Sequence, residues 1–222
     1  MLTNHTFTHA VSTTGRARRT MAMAIALLTA GTTFQAAEDK RPMASLSVFV
    51  YDYGGVPAPV LTEATRTAER IFREAGIEVT WTIFDAERLA RGHQESESDK
   101  GVHNAMFVHL LSPAMVESRR SRSGVLGEAV PGSQFAWILT SRAEHLARTN
   151  DLDFGSVLGH VVAHEMGHLL LPPPSHALTG IMGASLNLPA LARGGLRFNS
   201  AEADRIRARL VDGFRATLPA QR

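Results

Sequence analysis

"GHVVAHEMGHLLLPPPSHALTGIM", residues 159 to 182, is the stretch on which the reading of this chain turns. His164 and His168 are four apart, so on an α-helix they stack on one face, about 6 Å from each other and within reach of one ion. Glu165 is turned about 100° round the helix axis from the first of them. It can therefore face a metal-bound water without ligating the metal. A water acidified by zinc is a nucleophile at neutral pH, and Glu165 can take its proton and pass it to a leaving amine. This is the HExxH spacing, whose chemistry is hydrolysis at a metal. The plainer alternative is a helix with two surface histidines. Against it stand an otherwise apolar helix, a further histidine close behind, and the "LTGIM" that follows.

A metal on His164 and His168 needs another ligand. Pro172 to Pro174 force the chain off the helix in a stiff extended form, and His176 comes two residues later. Five or six extended residues span well over 10 Å, so His176 can reach back. His160 is one turn before His164, but it lies ~12 Å of helix rise from His168, too far for one ion to bind all three. It reads as a packed histidine. Glu202 or Asp204, on the last helix, would instead make a site of two histidines and one carboxylate. His93, His103, His109 and His145 are scattered and carry no assigned role. "NDLDFG" has incomplete calcium-loop spacing, and Asp153 is better explained as a helix N-cap.

Outward from this segment, the chain alternates strands and helices. "SLSVFVYDY" (45–53) and "IEVTWTIF" (77–84) read as strands flanking a helix with Val60, Leu61, Ala64, Ala68, Ile71 and Phe72 on one face, ended by Gly76. Such a unit pairs its strands in parallel. "NAMFVHLL" (104–111) is a third strand. "GVLGEAVPG" and "QFAWILTSR" form an adjacent pair across a Pro-Gly turn, the first being the edge candidate. Residues 85 to 103 read as a loop. The active-site helix runs from Asp153 to Pro172. A last helix, "NSAEADRIRARLVDGF", could be capped by Ser200 and faces Ala203, Ile206, Leu210 and Val211 inward.

The 222 residues suit one domain, and 44% apolar with 20% charged residues is a globular composition. Arg16, Arg18 and Arg19 precede an apolar run from Met21 to Phe34, then Ala36 and Ala37, which predicts an export signal over 1–37 and a functional domain over 38–222. The run is shorter than the ~20 residues of a membrane span, so stable insertion after signal removal is not expected. Without residues 1–37, Lys plus Arg falls from 23 to 20 against 21 acids. The basic balance then disappears, and nucleic acid is not an expected partner. There are no cysteines, hence no disulfides and no thiolate ligands. The protein is expected to be secreted or periplasmic, with any zinc on His, Asp or Glu.

The order of elements, and above all His164 to Met182, resembles the metzincin clan of zinc endopeptidases. The segment is also similar to matrixin-like bacterial secreted proteins carrying HExGHLLLxxxxHSxxGIM. The resemblance implies an α+β fold: a twisted mixed sheet of about five strands, an active-site helix, a methionine turn and a C-terminal helix. It further implies zinc on His164, His168 and His176, Glu165 as general base and acid, Met182 beneath the metal, and a protein or peptide substrate. That substrate would lie extended along the edge strand near Gly124 to Val130. The chain departs from the clan pattern at Leu171, where the clan has glycine, and at Pro174, where it has its third histidine. No tyrosine follows Tyr53, so the tyrosine that some members place after the methionine turn is absent. Two other readings remain. One is a zinc-holding but inactive binding module of the cell envelope, against which the intact Glu165 argues. The other is a thermolysin-like peptidase with Glu202 or Asp204 as ligand.

Overall fold

The structure is a computed structural model that describes residues 44–91, 102, 104–119, 124–130 and 132–213. The expected leader, His93 and His103 lie outside these residues. β1 (Ala44–Asp52), α1 (Ala58–Glu74) and β2 (Ile77–Phe84) form the predicted unit, its strands parallel from Ala44↔Ile77 to Tyr51↔Phe84. Then come α2 (Ala86–Ala90), β3 (Ala105–Leu110), α3 (Pro113–Ser118), β4 (Gly127–Ala129), β5 (Phe135–Ile138), α4 (Thr140–Thr149), α5 (Phe154–Leu170), α6 (Leu188–Ala192) and α7 (Ser200–Val211). The five-stranded sheet has the order β2-β1-β3-β5-β4, with β4 alone antiparallel at one edge. This is an α+β mixed sheet, as expected. No helix among the described residues is long and apolar enough to cross a membrane.

Alternation along β1 sorts the two faces of the sheet. Leu46, Val48 and Val50 join the main core with α1 and α5, while Phe49 and Tyr51 face the other way with Phe84 and Phe107. His109 belongs to this second face, its ring 5.2 Å from that of Tyr51 and 5.9 Å from that of Tyr53. Burial pushes its pKa down to about 4, so it is neutral in the folded protein at ordinary pH. The turn after β1 is held by Asp52, whose buried carboxylate accepts from the Gly54 and Val56 N–H groups.

α5 is apolar nearly all round because it is covered nearly all round. It runs beside α1 with Gly155 and Gly159 at the contact. A Cβ on Gly159 would lie 2.5 Å from the Ala64 carbonyl oxygen and 2.7 Å from Thr67 Cβ. Only the missing side chain lets the two helix backbones come this close.

Four expectations need correction. The stretch from 85 read as a loop opens with a helix instead, α2, capped by Asp85, which accepts from the Arg88 N–H. "QFAWILTSR" is not one strand: β5 stops at Ile138, and Thr140 opens α4, its hydroxyl donating to the Leu111 carbonyl. Ala143, Leu146 and Ala147 supply helical spacing that the β-rich run before them obscured. α7 is capped by Asn199 rather than Ser200, in a reciprocal capping box with Glu202. Val211 is 70% exposed and does not face inward. It sits about 100° round the helix from Leu210, off the stripe of Ala203, Ile206 and Leu210.

Gly159→Val should drive α1 and α5 apart and destabilise the protein by roughly 1–3 kcal/mol, read as a lower urea midpoint. His109 gives a pH signature. Its folded pKa is below the usual 6.5, so the stability it carries is present above pH 6.5 and is lost as pH falls toward 4. The loss attributable to it is about 3 kcal/mol. His109→Phe should flatten the acid limb of a urea-midpoint-against-pH curve by about that amount.

Candidate active site

α5 begins where Asp153 accepts from the Ser156 N–H, and ends because of Pro172. The residue before a proline is pushed out of the helical region. Leu171 accordingly has φ −99° and ψ 143°, and its N–H makes the last helical bond, to Gly167. The leucine therefore needs no left-handed conformation to leave the helix.

The chain then folds back. Ser175 Oγ lies 2.6 Å from His168 Nδ1. The His176 ring centroid is 4.6 Å from that of His168 and 5.6 Å from that of His164. Beyond it, the Ala177 N–H donates to the Met182 carbonyl, and Ala177 bridges to Gly183, which holds the loop shut. The methionine turn is compact. Gly180 has φ +82°, and a Cβ there would lie 2.6 Å from the Arg197 carbonyl oxygen, so no other residue fits. Met182 is fully buried, its sulfur 2.4 Å from where a Cβ on Gly167 would be.

His164 Nδ1 is 2.7 Å from the Ile181 carbonyl oxygen. A carbonyl only accepts, so Nδ1 carries the hydrogen and Nε2 is left with its lone pair. That Nε2 is 2.9 Å from Nε2 of His168. One ligand atom from each of His164, His168 and His176 lies within 4.8 Å of the others. Burial lowers the pKa of His164, and together with the neighbouring imidazoles lowers that of His168 to about 4. Three imidazoles converging on one point are a donor set that zinc takes, so these residues fit the ion.

Glu165 is 6% exposed. Burial first, then the charge of Glu128, pushes its carboxyl up to about 8, against a hydrogen bond from the Ala129 backbone. A dication at the histidines pulls the other way. β4 lies directly on this carboxylate: a Cβ on Gly127 would stand 2.6 Å from Glu165 Cγ. Outside these groups is a cleft of about 1340 Å³, walled by residues 124–129, the Ser141–Leu146 face of α4, the 171–176 loop and the segment after the methionine turn.

The other candidates go elsewhere. His160 is buried and its Nδ1 donates to the Ser156 carbonyl at 2.7 Å, as a packed histidine would. The Glu202 carboxylate is spent on the Asn199 N–H at the start of α7, and Asp204 pairs with Arg207. His145 sits on the cleft wall. Sequence reasoning passed over Ser175, Gly127 and Arg142. The amphipathic spacing of α4 could have disclosed Arg142, but the other two owe their places to contacts between distant segments.

No protein-family model matches the chain, and no curated protein sequence does. Among solved structures it is similar to the archaemetzincin of Methanopyrus kandleri, at 16% identity and a TM-score of 0.48, covering 76% of this chain and 97% of that one. A zinc-dependent peptidase from Methanocorpusculum labreanum is similar at 16% identity and 0.46, covering 72% and 99%. The malonate-complexed archaemetzincin of Archaeoglobus fulgidus follows at 15% and 0.45, covering 72% and 99%. TM-scores below 0.5 decide nothing about the site, which stands on its own geometry.

Ser175→Ala should remove the partner that orients His168 and weaken zinc binding by about 10- to 100-fold. Competition with a chromophoric chelator measures it, and an unchanged affinity would refute the role.

Proposed function

We propose that this protein is a zinc-dependent endopeptidase of metzincin-like, matrixin-related type. The observation that carries the reading is the convergence of His164, His168 and His176 beside the buried Glu165 at the floor of an open cleft. The three imidazoles would hold zinc. When bound, zinc supplies Lewis-acid polarisation of the scissile carbonyl and acidifies a water. The Glu165 carboxylate takes the proton of the attacking water and delivers it to the amine nitrogen as the C–N bond breaks. The Ile181 carbonyl and Ser175 hold two of the imidazoles in their ligand orientation. Met182 packs the floor against Gly167.

Among the described residues β4 is the short edge strand of the sheet, so a substrate could add to it as a further strand. Residues 1–37 are proposed as an export signal, from Arg16, Arg18 and Arg19 before the apolar run Met21–Phe34, and the enzyme as secreted or periplasmic. A carboxylate ligand on α7 is not favoured, because Glu202 and Asp204 are otherwise engaged.

The test combines zinc content and hydrolysis of an unfolded protein substrate. The wild type should bind about one zinc per chain and cleave; Glu165→Ala should keep the zinc and lose activity by about 10²-fold or more; His176→Ala should lose the zinc. Hydrolysis that survives Glu165→Ala would overturn the mechanism, and stoichiometric zinc in His176→Ala would overturn the ligand set.

A further inference from the structure

We propose that the ion pair between Glu74 and Arg197 positions the zinc ligand His164, acting through the backbone of the methionine turn. The inference rests on the zinc site of the peptidase reading above and deepens it. The relay can be followed bond by bond. Arg197 closes on Glu74, the last residue of α1, through its Nε and, at 3.5 Å, through its Nη2. The main-chain carbonyl of Arg197 accepts from the Ile181 N–H at 2.9 Å, and the Ile181 carbonyl accepts from His164 Nδ1 at 2.7 Å. Hydrogen-bonded links therefore run from a carboxylate on α1 to the ring that presents a ligand nitrogen. The middle link is stiff. Gly180 has φ +82°, and a Cβ there would lie 2.6 Å from the same Arg197 carbonyl oxygen, so a shift of Arg197 is passed on to the turn.

Residues 194–198 form a strap laid on α1, and the strap places Arg197. Arg70 Nη1 donates to the Gly194 carbonyl at 3.0 Å. The Phe198 ring lies 5.2 Å from that of Phe72 on α1, and a Cβ on Gly167 of α5 would stand 3.0 Å from it. Leu196 and Phe198 are buried, while Arg197 between them keeps its side chain 53% exposed and reaches α1 through Glu74. The strap is thus packed on one side by its apolar residues and held on the other by the ion pair.

The helix dipole disfavours an acid at the last residue of α1. Glu74 sits there between two arginines, Arg70 at 3.5 Å and Arg197. Both arginines also touch the strap or belong to it, so the carboxylate gathers α1 and the strap at one point. A lone surface pair is worth little, and this one is partly exposed at both ends. The fork of contacts from Arg197 and the second arginine make it better tied than a lone pair. The expected effect on the site is accordingly a modest one, about 3- to 10-fold in zinc affinity.

The experiment measures zinc affinity, by competition with a chelator, for the wild type, Glu74→Gln, Arg197→Gln, the double variant and Arg197→Lys. Each single Gln variant should bind zinc about 3- to 10-fold more weakly than the wild type. The double variant should bind no more weakly than the weaker single one, because both substitutions remove the same interaction. Arg197→Lys keeps the charge without the fork and should recover part of the affinity. The gap between the wild type and Glu74→Gln should narrow as ionic strength rises from about 0.05 to 0.5 M. Glu69→Gln breaks another exposed pair on α1, with Arg73 at 3.3 Å, and should leave zinc affinity as it was. A pair that only stabilised the fold would lower the urea midpoint of the zinc-free protein and leave the zinc affinity of the folded protein unchanged. That result, additive losses in the double variant, or an equal loss in Glu69→Gln would each overturn the proposal. The peptidase reading would survive any of them, since the wild type would still bind zinc. A wild type that binds no zinc would overturn both.

Discussion

The hydrogen bond from His164 Nδ1 to the Ile181 carbonyl is the joint between the two halves of the site. It fixes the tautomer, so the lone pair of His164 faces His168. It also pins the methionine turn to α5. The turn keeps that carbonyl in place through Gly180 against Arg197, Met182 against Gly167, and Ala177 paired to Met182. The same pairing holds His176 over the other two rings. Breaking this joint would free the loop that carries His176 and let the imidazole turn, so in the proposed site zinc affinity and local fold would be one property.

α5 is the element that makes such a site possible in a domain without cysteines. It is gripped on several sides, by α1 at Gly155 and Gly159, by β4 at Gly127 and by the methionine turn at Gly167. Each grip uses a glycine, on one partner or the other, to bring backbone or a working side chain within a distance that a methyl group would forbid. Close packing along α5 leaves His164, His168 and Glu165 few rotamers. It also takes much of the water from these three, while His176, on its loop, is exposed. That favours neutral His164 and His168 and raises the proton affinity of Glu165, as the proposed ligands and base would require.

The segment from Leu171 to His176 shows how a motif can change while its geometry is kept. A glycine would leave the helix through a left-handed residue; here the proline at 172 forces Leu171 into an extended conformation instead. The longer path brings in Ser175, whose hydroxyl meets His168. One steric rule, applied at the end of a helix, thus both terminates α5 and supplies an orienting group for a ligand.

Local chemistry alone determined a good deal. Strand alternation gave β1, β2 and β3, helical spacing gave α1 and α5, Asp153 and Pro172 bounded α5, and a four-residue separation put His164 and His168 on one face. These are legible because period and capping act between residues near in sequence. α4 was missed because its start follows a β-rich run without a break, and Val211 was misplaced by a rotation of about 100° at a helix end. The bond from Ile181 to His164, the seat of Glu165 against Gly127, the placing of His176 rather than Glu202 beside the other two imidazoles, and the approach of Arg142 to the edge strand were decided only by the tertiary structure. Each depends on segments far apart in the chain being packed to within a few ångströms, and no local periodicity encodes such distances.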